Sequence, residues 1–188
     1  MAVVDTNSFR SGMKLEIDRQ PYLIVNTEFV KPGKGQSFCR VKLKNLISGR
    51  VIERTYKSND KAEVADINET SMRMLYRDGE GVVFMDDNTY DQTTIPLENV
   101  GDTERWLKED IVYGIVFYKG DAINVIPPTF MELKIDRSDP GARGDTASGR
   151  VLKPATLETG AEVQVPIFID EGEVIKVDTR TGEYVSRA

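Results

Sequence analysis

Hydrophobic residues occur along this chain mainly in short stretches typical of β-strands. Residues 21–30 are rich in Tyr, Leu, Ile, Val and Phe, which favours a strand. Residues 37–46 alternate between two faces, which hold, respectively, Phe38, Arg40, Lys42 and Lys44, and Cys39, Val41, Leu43 and, roughly, Leu46. A period of two predicts one buried face and one solvated face. The solvated face of this strand is basic.

Other stretches and turn signals predict an all-β chain of three small barrels. Further strands are predicted at 50–57, 72–76, 82–85, 111–118, 122–125, 130–135, 161–169 and 174–177. One helix is predicted to begin at Asp102, as its N-cap, and to run through Trp106 and Leu107. The polar stretch 58–63 and the pair Pro127-Pro128 predict boundaries near 64 and 128. The units are then a small barrel at 1–64 and oligonucleotide-binding (OB) barrels at 65–128 and 129–188.

The chain has 188 residues, of which 39% are hydrophobic and 30% are charged. It is therefore long enough, and has enough apolar residues, to form a sizeable hydrophobic core. No apolar run approaches the roughly 20 residues of a membrane span. The first residues lack a basic region followed by an apolar stretch, the pattern of a secretory signal. We therefore expect a cytoplasmic protein without a membrane partner. We also expect the protein to be a monomer.

The absence of histidine restricts the chemistry of this chain. The sequence has no His and one Cys, so Ser-His and Cys-His nucleophile systems and the commonest metal ligand are absent. We expect no catalytic residues, no metal and no bound cofactor. An Asp/Glu pair acting as acid and base stays open, because the 31 acidic residues offer many pairs and their spacing selects none.

The net charge of −6 conceals an asymmetry along the chain. Residues 1–64 hold 12 basic and 7 acidic residues, whereas residues 65–188 hold 13 basic and 24 acidic residues. A strongly acidic chain is not typical of nucleic-acid binding. The split instead indicates a basic module joined to an acidic body.

Lys34 stands alone between glycines in the segment Lys31-Pro32-Gly33-Lys34-Gly35-Gln36. Proline presets a turn and glycine permits positive φ, so we predict an exposed loop tip with one long cationic side chain. Arg40 and Lys42 continue the positive charge along the next strand, as suits contact with phosphates. Taken alone, the local pattern favours an ordinary hairpin turn with a solvated lysine, since such turns are common. A phosphate-binding P-loop fits poorly, because a strand and not a helix follows.

Three other features have a functional and a structural interpretation. The glycine-rich segment 139–149 is either functional or mobile, and residues 144–149 could place backbone N–H groups against a nucleic-acid backbone. Tyr184 and Arg187 are candidate RNA contacts by stacking and charge, or else residues of an ordinary last strand. Cys39 is interpreted as a buried structural thiol.

The whole chain resembles the bacterial elongation factor P family. The resemblance is carried by three stretches of sequence: residues 28–36 followed by Arg40-Val41-Lys42; Asp139-Pro140-Gly141 with residues 144–147; and residues 153–161 with Val165-Pro166 and residues 172–180. The third stretch is specific over many residues and lies more than a hundred positions from Lys34.

This resemblance implies an L-shaped, tRNA-like arrangement of a KOW-type, Src-homology-3-like barrel followed by two OB barrels. It implies binding to the ribosome beside the P-site peptidyl-tRNA and relief of stalling at consecutive prolines, without enzymatic activity. Lys34 would point to the peptidyl-transferase centre, and Lys31, Pro32, Gly33, Gly35, Arg40 and Lys42 would contact peptidyl-tRNA and rRNA. Gly144, Asp145 and Thr146 would form contacts at the E site.

The resemblance also implies covalent modification of Lys34 by a lysine-modifying enzyme. Addition of β-lysine is the expected form, and hydroxylation is a further expected modification. Two alternatives to the family's function are weighed from the residues. One is a general single-strand nucleic-acid-binding protein built on OB barrels, against which the net charges of −8 for 65–128 and −3 for 129–188 argue. The other is a carboxylate enzyme.

Overall fold

The computed structural model describes residues 2–140 and 151–188, and these residues form mainly antiparallel β-strands. The first sheet has six strands in the order β1-β6-β2-β3-β4-β5. Their bounds are β1 Val3–Asp5, β2 Lys14–Ile17, β3 Gln20–Val30, β4 Phe38–Asn45, β5 Val51–Lys57 and β6 Lys61–Val64. A single turn of 3₁₀-helix at Thr6–Ser8 follows β1.

Two five-stranded sheets follow along the chain. The second sheet has the order β11-β10-β7-β8-β9 and the third has the order β14-β13-β12-β15-β16. The strands of the second are β7 Ile67–Arg77, β8 Val82–Met85, β9 Gln92–Ile95, β10 Val112–Tyr118 and β11 Asp121–Ile126. The strands of the third are β12 Phe130–Ser138, β13 Leu152–Leu157, β14 Glu162–Pro166, β15 Val174–Asp178 and β16 Glu183–Arg187.

The prediction of an all-β chain built on three sheets is confirmed, whereas the predicted helix is wrong in type and position. A short α-helix α1, Leu97–Val100, comes first, and a 3₁₀-helix at Gly101–Trp106 follows it directly. Asp102 lies inside the 3₁₀-helix and is not an N-cap, and no side chain caps either element. The 3₁₀-helix ends at Trp106, because Leu107 has an extended backbone.

Buried apolar residues form separate cores. One core, in the first sheet, includes Phe9, Leu15, Ile24, Val41 and Leu43, each at most 1% exposed. The ring of Phe9 meets Tyr56 edge to face, with 5.2 Å between centroids. Another core fills the third sheet, and Trp106 packs into it with 2% exposure. Trp106, at the end of the 3₁₀-helix, therefore packs against the third sheet.

By compactness the chain divides into two units, Met1–Thr70 with Ile115–Asn124, and Ser71–Gly114 with Val125–Ala188. The first sheet ends with β6 at Val64 and the third begins with β12 at Phe130. The three-domain division at 64 and 128 stays a prediction. Among the described residues, no helix is long and apolar enough to cross a membrane.

Candidate nucleic-acid interface

The loop that carries Lys34 extends beyond the last paired residues of two strands. β3 and β4 pair antiparallel as far as Val30 and Phe38, which leaves Lys31–Ser37 as the connection. Lys34 is the middle residue of this connection, and residues 31–36 are all exposed. Neither Lys31 nor Lys34 forms an ion pair or a hydrogen bond through its side chain within the described part of the chain. The Lys34 ammonium is therefore free to meet an anionic partner.

The two glycines beside Lys34 differ in what they provide. Gly35 has φ of +115°, a region that side chains rarely adopt, so glycine is required there by conformation. Gly33 has no such φ, and a Cβ added to it would meet nothing within 4 Å. Gly35 therefore turns the backbone, while Gly33 keeps the tip free of side chains. Together they leave Lys34 without neighbours that cover it.

Strand β4 has the predicted two faces. Cys39, Val41 and Leu43 are fully buried, whereas Arg40, Lys42 and Lys44 are exposed. The inner face continues with Asn45 and not with Leu46, because Asn45 ends the strand. The Asn45 Oδ1 atom accepts hydrogen bonds from the N–H groups of Ile47 and Ser48, at 2.8 and 2.9 Å. This buried amide thus forms the following turn.

Cys39 lies in the core beneath the basic face and is fully buried. Desolvation by this burial raises the pKa of its thiol, which keeps the thiol protonated. The interpretation of Cys39 as a buried thiol is confirmed.

Acidic residues on neighbouring strands partly offset the positive charge of β4. Arg40 stands opposite Glu28 in the register of β3, and its guanidinium lies 3.8 Å from the Glu28 carboxylate. Lys42 stands opposite Glu53 of β5. The segment from Phe29 to Lys44 contains no acid, but cross-strand pairing brings two acids to it. The positive charge without an acid opposite it therefore lies in the loop, at Lys31 and Lys34, and at Lys44, whose neighbours in register are Leu23 and Val51.

Within the described residues, no cluster of three or more Cys, Asp or Glu side chains is arranged to hold a metal ion. The contacts of the described residues thus point to charge and shape at the loop as the functional feature of the first sheet. The proteins to which the chain is similar indicate the process in which such a loop acts.

Three family models together cover most of the chain. The elongation factor P KOW-like domain matches residues 5–62, the elongation factor P OB domain matches 67–125, and the elongation factor P C-terminal domain matches 131–187. The chain belongs to the elongation factor P family. The resemblance found in the sequence is thereby confirmed, and the family is one of translation elongation factors.

Individual relatives of the elongation factor P family match over the full length. The chain is 60% identical over 187 residues to elongation factor P 2 of Protochlamydia amoebophila, covering 100% of this chain and 98% of that one. It is 59% identical to elongation factor P 2 of Chlamydia pneumoniae, with the same coverage.

Solved structures support the same fold. Eukaryotic translation initiation factor 5A from Methanococcus jannaschii matches with a TM-score of 0.55 and 26% identity, over 66% of this chain and 94% of that one. A translation initiation factor 5A family protein from Naegleria fowleri matches with a TM-score of 0.56, over 66% of this chain and 95% of that one. At 14% identity, this second likeness concerns the fold alone.

The two candidate tRNA contacts at the C-terminus lie on β16 of this elongation factor P chain. Tyr184 is half-buried against the core of the third sheet. Arg187 is exposed, but its guanidinium already forms an ion pair of 2.8 Å with Glu173 and lies over the ring of Phe168 at 5.1 Å. Their role in RNA contact stays a prediction. The predicted contacts Gly144, Asp145 and Thr146 lie outside the described residues.

Proposed function

We propose that this protein binds the ribosome beside the P-site peptidyl-tRNA and stimulates peptide-bond formation at consecutive prolines through Lys34. The observation that carries the proposal is the exposed Lys34, which lies between two glycines at the middle of the loop and has no ion pair within the described residues. Family membership supplies the context of translation. The partners in the proposal are the ribosome, its rRNA and peptidyl-tRNA.

The proposed action is positioning and not chemistry. Proline is a constrained acceptor and donor in peptide-bond formation. A factor that orders the peptidyl-tRNA reduces the entropic part of the barrier to this reaction. A long cationic arm among phosphates gains more in a partly desolvated site than it gains in water, because the effective dielectric is lower. Lys31, Arg40 and Lys42 would hold the loop against the RNA backbone, and the carboxylates of Glu28 and Glu53 would limit the extent of the positive patch.

We also propose that a lysine-modifying enzyme extends Lys34, with addition of β-lysine as the expected form. A second amine at the end of the side chain lengthens its reach and adds hydrogen-bond donors for phosphate or carbonyl oxygens. The exposure of residues 31–36 supports this step, because an enzyme needs access to the tip. The intact mass of protein purified from its own source, compared with the 21.1 kDa of the unmodified chain, tests it. A mass equal to that of the unmodified chain would contradict it.

A reconstituted translation assay tests the function. Two messages are compared that differ only in whether they encode a run of prolines. We expect the wild-type protein to raise the yield of the proline message alone, and Lys34→Ala to lose that stimulation. Lys44→Ala, which removes an exposed lysine from the same basic face outside the loop, is the matched control and keeps it. Equal stimulation by Lys34→Ala and wild type would overturn the proposal.

A further inference from the structure

A cavity of about 260 Å³ lies at the base of the Lys34 loop. Its apolar side includes Phe29, Val30 and Cys39, from the paired ends of β3 and β4. Phe29 is 50% exposed although it is a large aromatic residue. A half-exposed ring on the wall of a cavity offers a surface on which a flat apolar group can stack.

The polar side of this cavity carries hydrogen-bonding groups that the fold does not use. Asn7, Ser37 and Ser58 line the cavity. Their side chains form no hydrogen bond with the rest of residues 2–140 and 151–188. The neighbouring Thr6 differs, because its hydroxyl donates to the Asp60 carbonyl at 2.7 Å. Three side chains that both donate and accept thus converge on one apolar wall, the usual composition of a small-ligand site.

The charge around the cavity selects an anionic ligand. Lys31 is the one charged residue among those that line it, and no acid does so. Lys34 follows three residues later on the exposed loop. A ligand that suits the exposed ring, the polar side chains and the positive charge has a flat ring with polar edges and carries a negative charge nearby.

We propose that this cavity binds the base of one unpaired RNA nucleotide, with the adjoining phosphates held by Lys31 and Lys34. The base stacks on Phe29 and exchanges hydrogen bonds with Asn7, Ser37 and Ser58. Single-stranded bases are commonly recognised in this way, by an aromatic face and polar groups at the base edge. The proposal rests on the proposed function for RNA as the partner, and adds a second contact behind Lys34.

Titrations of the full-length ¹⁵N-labelled protein followed by NMR test the cavity directly. The probes are adenosine and cytidine monophosphates, a single-stranded RNA trinucleotide, and ribose 5-phosphate, which carries the phosphate without a base. We expect the nucleotides to shift the amide signals of the residues that line the cavity, and ribose 5-phosphate to bind at least tenfold more weakly. We expect the trinucleotide to bind more tightly than the monophosphates, since a neighbouring phosphate reaches Lys34.

Two variants test whether the base stacks on Phe29. Phe29→Ala is expected to weaken nucleotide binding about tenfold, as loss of one base–aromatic stack does. Phe168→Ala removes another exposed ring, on the other compact unit, and is expected to leave binding unchanged. Retention of the wild-type amide spectrum away from residue 29 shows that Phe29→Ala is folded.

Several outcomes would overturn the proposal. Equal binding of ribose 5-phosphate and nucleotides would show that charge alone attracts them. A monophosphate that binds more tightly than the trinucleotide would indicate a free nucleotide as ligand, and the absence of shifts at the cavity would exclude a base site. These results are independent of the test of Lys34. If Lys34→Ala loses the stimulation and the protein binds no nucleotide, the proposed base site is overturned and the proposed role of Lys34 stands.

Discussion

The ammonium of Lys119 lies 2.8 Å from Oε1 of Glu16, although the two residues are 103 positions apart. Glu16 is on β2 of the first sheet, and its side chain is 9% exposed. Lys119 follows β10, and its backbone N–H donates to the carbonyl of Asp66 at 3.1 Å, an ordinary distance for such a bond. These contacts hold the turn after β10 against the sheet that carries the Lys34 loop. Both residues belong to the compact unit Met1–Thr70 with Ile115–Asn124.

We expect Glu16→Gln to lower the melting temperature at neutral pH by a few degrees. We also expect the melting temperature of this variant to fall less than that of wild type as the pH is lowered. The hydrogen bond from Lys119 lowers the pKa of Glu16 below its ordinary 4.5. A carboxyl group with a lowered pKa in the folded state stabilises the protein above the ordinary pKa, and this contribution is lost as the pH falls through the folded value. Thermal unfolding at pH 7 and below pH 4 checks this. An unchanged acid profile in Glu16→Gln would contradict it.

Substitution by alanine should destabilise the protein at one of two nearby glycines in the turn after β7 and be tolerated at the other. A Cβ at Gly81 would collide with the carbonyl oxygen of Ile95 and lie 3.1 Å from the Cα of Pro96, whereas a Cβ at Gly79 would meet nothing within 4 Å. We expect Gly81→Ala to lower the free energy of unfolding by about 1–3 kcal/mol. Gly79→Ala is the matched control and should change it by less than about 0.5 kcal/mol. Urea unfolding measures both, and equal stabilities would contradict the packing argument.

Most of the fold follows from sequence periodicity, and the exceptions have physical causes. β4 was predictable because Cys39, Val41 and Leu43 alternate with basic residues along one edge of the core. β6, Lys61–Val64, lies in a polar stretch, and its pairing with β1 and β2 depends on residues distant in the sequence. Asp102 is a residue type that favours helix N-caps, but α1 begins earlier, after Pro96, and the positive φ of Gly101 separates α1 from the 3₁₀-helix.

The candidate site was only partly predictable for a similar reason. The exposure of Lys34 follows from the local pattern of proline and glycine. The acids opposite Arg40 and Lys42 come from β3 and β5, and only strand register reveals them. The cavity behind the loop was missed in the sequence, because its polar side chains, Asn7, Ser37 and Ser58, come from separate segments and form no motif.

Tyr90 holds an unfavourable backbone conformation at an exposed turn. Its φ is +63° and its side chain is 72% exposed. The turn is fixed by Asp86, whose Oδ1 accepts from the N–H of Asn88 at 2.7 Å and whose carbonyl accepts from the N–H of Tyr90 at 2.8 Å. Glycine lacks the steric cost of positive φ, so Tyr90→Gly should be more stable than Tyr90→Ala by about 0.5–1 kcal/mol. Urea unfolding of the two variants checks this, and a more stable alanine variant would contradict it.

The two glycines of the Lys34 loop provide a test of conformation at the tip. Because Gly35 has φ of +115° and Gly33 does not have positive φ, alanine should disturb the loop at 35 and be accommodated at 33. We expect Gly35→Ala to lose most of the stimulation of the proline message and Gly33→Ala to keep most of it. Both variants should melt within a few degrees of wild type, since the loop is exposed. Equal activity of the two variants would mean that the loop conformation does not matter.

The rate of a single peptide bond tests the central claim most directly. Ribosomes carrying a peptidyl-prolyl-tRNA are mixed with prolyl-tRNA, and the rate of bond formation is measured with wild-type protein, with Lys34→Ala and with Lys44→Ala. The account predicts that wild type and Lys44→Ala accelerate the reaction equally, and that Lys34→Ala loses at least nine-tenths of that acceleration, about 1.4 kcal/mol or more of barrier lowering. Acceleration by Lys34→Ala equal to that by wild type would contradict it.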